Sequence, residues 1–102
     1  MKIRRLHRGA LFCRRPIPGG TVSYRLKRDR ADGRARYTLS VRRRTRDGNA
    51  DCVLPDCALS GGTAARLFLL FARRRVLPEE APFVYDVLCA AGGEIALPDP
   101  TK

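Results

Sequence analysis

The sequence predicts an α+β domain. It reads as an antiparallel β-meander of three strands, or four if the N-terminal arm adds an edge strand, followed by two α-helices packed on one face. Three observations predict it. Apolar and polar residues alternate with a period of two in residues 21–27 and again in 34–43. The Asp/Gly segments between the alternating runs are too short for a crossover, so neighbouring strands must be antiparallel. After residue 59 the apolar spacing lengthens to that of a helix.

Residues 1–19 form a basic arm that runs into Pro16-Ile17-Pro18-Gly19-Gly20, a stretch that turns and cannot continue a helix. Residues 3–12 alternate poorly and read as an edge strand or as no strand. A single domain spans 20–91. In its first strand Val22, Tyr24 and Leu26 lie opposite Ser23, Arg25 and Lys27. In the second, Tyr37, Leu39 and Val41 lie opposite Arg36, Thr38, Ser40 and Arg42. Asp29-Arg30-Ala31-Asp32-Gly33 turns between them, and Arg46-Asp47-Gly48-Asn49 leads to a short third strand at 51–54.

Leu59-Ser60-Gly61-Gly62-Thr63 starts the first helix, with Ser60 placed to cap its free amides. Ala64, Leu67, Phe68 and Phe71 follow at helical spacing, and Arg73-Arg74-Arg75 complements the dipole at the end. Leu69 and Leu70 widen the apolar surface, so this helix needs cover from the arm or from a second subunit. Val76-Leu77-Pro78 breaks the helix. Pro78 or Pro82 then opens a second one, with Glu79 and Glu80 near its positive end. Phe83, Val84, Val87, Leu88 and Ala91 are its expected buried face. Gly92-Gly93 ends it, and 92–102 reads as a flexible tail.

Taken together, Tyr37-Thr38-Leu39-Ser40-Val41, Leu59-Ser60, Ala65-Arg66-Leu67-Phe68, Val76-Leu77-Pro78 and Val84-Tyr85-Asp86-Val87-Leu88 resemble a small bacterial family of unknown function found mainly in clostridial relatives. The resemblance covers residues 20–90 and implies a strand meander, a polar-capped helix, a Val-x-Pro break and a final helix. It implies no activity. This chain is far richer in arginine than the Lys/Glu-rich members of that family.

Charge bounds the partners. The 102 residues carry 21 Lys or Arg against 10 Asp or Glu, a net +11 with a pI near 10.8. Residues 1–50 hold 16 of the bases and 3 of the acids, so the whole excess lies in the first half. Such a field attracts nucleic acid, an anionic membrane surface or an acidic protein. Coding drift explains the preference for Arg over Lys but not the net charge.

Other classes are excluded. The longest apolar run, residues 67–72, falls far short of the ~20 needed to span a bilayer. Ala10-Leu11-Phe12 is too short for the core of a signal peptide, which points to a cytoplasmic protein with reduced thiols. Of Cys13, Cys52, Cys57 and Cys89 only Cys52 and Cys57 are close, and His7 is the sole histidine, so no metal or other cofactor is expected. No carboxylates pair at a spacing that demands acid–base chemistry, and no catalytic residue is assigned.

Two candidate sites remain. Arg25, Lys27, Arg36 and Arg42 share the outward face of the meander, joined at its rim by Arg28, Arg43 and Arg44, and would neutralise phosphates there. The same pattern also fits a merely solvated basic face. Tyr24 and Tyr37 fall in register with Leu26 and Leu39 and should be buried, which leaves the face without a ring for base stacking. Ser60, Gly61, Gly62 and Thr63 with Arg66 would hold an anion at the helix N-terminus, though an ordinary cap uses the same residues. The leading expectation is a non-enzymatic interaction or accessory protein, meeting a protein partner or a second copy through Leu69 and Leu70. The alternative is sequence-independent binding of the nucleic-acid backbone.

Overall fold

The computed structural model describes residues 1–90. Five strands come first, β1 Ile3–Arg5, β2 Leu11–Ile17, β3 Gly20–Ala31, β4 Arg34–Thr45 and β5 Gly48–Leu54, followed by the helices α1 Gly61–Arg74 and α2 Ala81–Ala90. The strands pair antiparallel in the order β1-β2-β3-β4-β5.

The meander thus has five strands, where three or four were expected. Both added strands come from the basic arm, β1 and β2 being joined by the 3₁₀ turn His7–Gly9. Three successive apolar residues, Leu11, Phe12 and Cys13, had hidden the alternation. Cys13 is buried under the helices and Leu11 packs beside it, whereas Phe12 points to the other side of the sheet. Pro16 is tolerated inside β2 because β1 pairs only with residues 11–13, which leaves that stretch with one free edge.

The hairpins are tight. Asp32 (φ 55°) and Gly33 (φ 78°) alone turn β3 into β4, the left-handed pair that a two-residue hairpin requires. Asp29, Arg30 and Ala31, read as turn, are therefore strand. Gly20 is demanded by contact, since a Cβ there would run into the carbonyl of Arg44 on β4.

One face of the sheet carries the core. Cys13, Val22, Tyr24, Leu26, Leu39, Val41 and Leu54 meet Ala64, Leu67, Phe68, Phe71 and Ala72 of α1, all buried. Ser60 caps α1 by accepting the Thr63 amide at 3.2 Å. The helix ends on a left-handed Arg75 (φ 49°), whose N–H and that of Val76 donate to the carbonyls of Ala72 and Phe71. This is the Schellman arrangement.

The second helix departs from expectation. Phe83 and Val87 are 72% and 50% exposed, although both were expected to be buried. The side that packs is Ala81, Val84, Tyr85 and Leu88, a stripe at i, i+3, i+4 and i+7. Tyr85 takes an inward place because its hydroxyl can donate to the Cys57 carbonyl at 2.8 Å while its ring packs. Ala91, Gly92-Gly93 and the tail lie outside the described residues. Among the described residues no helix is long and apolar enough to cross a membrane.

Candidate polyanion-binding face

The helices cover one side of the sheet, so every residue of opposite parity faces solvent on the other. Strand pairing aligns these residues in rows. Arg4, Phe12, Arg25, Ser40 and Val53 form one row across all five strands. Arg14, Ser23, Arg42 and Asp51 form the next, and Thr21, Arg44 and Asn49 another. Towards the opposite end Lys27 pairs with Thr38 and Asp29 with Arg36. Eight cations (Arg4, Arg14, Arg25, Lys27, Arg34, Arg36, Arg42 and Arg44) therefore share this face with two carboxylates, Asp29 and Asp51. Arg34, beside the β3–β4 turn, is held by Asp56 at 2.9 Å.

Most of these cations have no internal counter-ion. Arg42 donates to Asp51 at 3.1 Å, and Arg36 reaches Asp32 at 3.4 Å. Both are exposed pairs of the kind that contributes ~0–1 kcal/mol, so a phosphate can compete for the arginine. Among the described residues Arg4, Arg14, Arg25, Lys27 and Arg44 lie within ion-pair distance of no carboxylate.

Of the arginines expected on this face, two lie elsewhere. Arg43 has the parity of Leu39 and Val41, so it points to the helix side, where it pairs with Glu79. Arg28 shares the parity of Leu26 and lines a cavity of about 260 Å³ with Arg5, Tyr37 and Gly61. Runs such as Arg42-Arg43-Arg44 look continuous in a sequence, but a strand sends alternate members to opposite sides.

The tyrosines do turn inward, Tyr24 being fully buried and Tyr37 packed against the core. The face nevertheless has a ring, that of Phe12, which the sequence reading missed. The guanidinium carbons of Arg14 and Arg25 lie 5.7 and 5.8 Å from its centroid, within cation–π range. Two signals in the sequence mark this residue: Phe12 lies two residues before Arg14, and its parity is opposite to that of Leu11 and Cys13.

At the N-terminus of α1 the cap satisfies itself. Ser60 accepts the Thr63 amide and donates to the Thr63 hydroxyl at 3.0 Å, Gly61 lies against the Tyr37 hydroxyl, and Gly62 is exposed. Arg66 is exposed one turn further on, and the arginines in the adjoining cavity are Arg5 and Arg28. Of the two residues expected to meet a partner, Leu69 packs against the core and Leu70 is half-buried.

The four cysteines are free thiols. Burial pushes Cys13 and Cys52 above the ordinary thiol range and Cys57 up to about 11, so these three stay protonated and poorly nucleophilic at neutral pH. Among the described residues no three His, Cys, Asp or Glu side chains converge on a point that could hold a metal ion.

No family model, no curated protein and no solved structure matches the chain.

Proposed function

We propose that this protein is a non-enzymatic, cytoplasmic nucleic-acid-binding domain that holds the phosphate backbone against the open face of its sheet, with little choice of sequence. The observation that carries this reading is the uncovered face on which eight cations stand against two carboxylates. Residues two apart on a strand, such as Arg25 and Lys27 or Arg42 and Arg44, are about 7 Å apart on the same side. A chain of phosphates laid along the strands would meet one cation after another. Asn49 is the only amide there, and cations spread along the strands meet the phosphates first, so affinity would come mainly from counterion release.

The test is a salt titration of binding to mixed-sequence DNA and RNA, comparing the parent with Arg25→Gln/Lys27→Gln/Arg44→Gln. Binding that weakens steeply with salt, and a triple variant that binds weakly with a flatter slope, support the proposal. Absence of binding at low salt overturns it. So does stronger retention on vesicles of anionic phospholipid than on either nucleic acid.

A second reading, pairing of two copies of the chain, has one observation in its favour. Phe83 and Val87, one turn apart on α2, leave more apolar surface exposed than Leu69 and Leu70 do. A dimer in sedimentation that is lost in Phe83→Ser/Val87→Ser supports it, and a monomeric parent overturns it.

A further inference from the structure

We infer that Phe12, clasped by Arg14 and Arg25, is a stacking platform for an unpaired base, so that the open face takes single-stranded nucleic acid in preference to duplex. This inference rests on the nucleic-acid reading above and names the form of polymer that the face selects.

Phe12 belongs to no core. Its ring stands on the side of the sheet that no helix covers, half-buried between arginine side chains. Arg25 faces it directly across the β2–β3 pairing and Arg4 across the β1–β2 pairing, while Arg14 follows it on β2. The ring is thus the one aromatic group at the centre of a cluster of three cations. A base resting on it would take the place of one of the two guanidinium groups over the ring, and the freed arginine, its fellow and Arg4 would be placed to receive the phosphates that flank the base.

The form of polymer follows from reach. In a duplex the bases are stacked on one another and the phosphates stand outside, so a ring set low between arginines meets only backbone. In a single strand the bases splay outward and any of the four can stack, since each has a π-face. The sheet would then bind both forms through charge but gain a further contact from the unpaired one.

The experiment measures binding of the full chain at one fixed salt concentration to three probes. These are a mixed-sequence single-stranded oligonucleotide, the blunt duplex of the same sequence, and inorganic polyphosphate, which has charge and no bases. The parent is expected to bind the single strand most tightly. Phe12→Leu keeps the apolar bulk and removes the π-face. It should weaken single-strand binding on the order of tenfold while leaving duplex and polyphosphate binding unchanged. The chain has no tryptophan, so Phe12→Trp supplies a unique emission signal, expected to quench when the single strand binds. Equal affinity for single strand and duplex, no loss in Phe12→Leu, or unchanged emission from Phe12→Trp at saturation overturns the stacking inference and leaves the charge-based reading standing. If none of the three probes is bound, both fall together.

Discussion

The Tyr24 hydroxyl, on the central strand β3, donates to the backbone carbonyl of Val76 at 2.9 Å, tying the middle of the sheet to the turn that ends α1. Both residues are buried, so this carbonyl is cut off from water. Removing the hydroxyl leaves the carbonyl without that donor. Tyr24→Phe is expected to cost about 1–2 kcal/mol in urea unfolding, with an unchanged m-value because the buried surface stays the same.

Alkali should loosen the same region. Burial holds the Tyr24 phenol well above its usual range, and burial with the neighbouring Cys89 takes Tyr85 up to about 12; burial pushes Cys57 up to about 11. A folded state that keeps these protons longer than the unfolded chain is favoured fully only below the unfolded values, 9.0 for the thiol and 10.0 for the phenols. Above pH 9 the unfolded chain sheds protons first, and stability falls. Unfolding free energy measured from pH 7 to 11 should be flat to about pH 9 and then decline, and Cys57→Ala should flatten the first part of that decline.

Adjacent arginines should separate fold from binding. Arg43 is 28% exposed and pairs with Glu79 on the helix side, whereas Arg42 and Asp51 are 53% and 58% exposed on the open face. Arg43→Ala is expected to lower stability by about 1 kcal/mol or more and to leave the salt slope of nucleic-acid binding unchanged. Arg42→Ala should change stability by less than about 0.5 kcal/mol. Denaturant melts and binding titrations on the two variants check both statements.

The end of α1 can be improved. Arg75 occupies a left-handed position that glycine adopts without strain. Arg75→Gly is expected to raise stability by about 0.5 kcal/mol, the relief of strain outweighing the added freedom of the unfolded chain. A thermal melt that shifts downward would contradict it.

Gly20 has no such freedom. Its missing side chain lets the β4 carbonyl of Arg44 approach, so Gly20→Ala must spread the β3–β4 pairing at its end. The expected cost is about 3 kcal/mol. Amide exchange at Thr21 and Arg44 should speed up before the rest of the sheet is affected.

Periodicity alone determined much of this protein. The alternation of residues 21–27 and 34–43 determined both central strands and sent Tyr24 and Tyr37 inward, because a pleated strand has only two sides. The capping serine and the apolar spacing after it determined α1. Three features came only from tertiary structure. The arm became strand because the β3 edge offered unpaired backbone groups to β2, and β2 in turn to β1, a demand invisible in a segment whose apolar and basic residues fall on both faces. Tyr85 displaced Phe83 from the interface of α2 because a carbonyl on a distant loop could accept its hydroxyl. Parity sets Phe12 opposite Leu11 and Cys13, but only the β2–β3 register put Arg25 across from it and so placed the ring between two arginines. Local pattern governs which residues can share a face, and only the assembled sheet decides which face is covered.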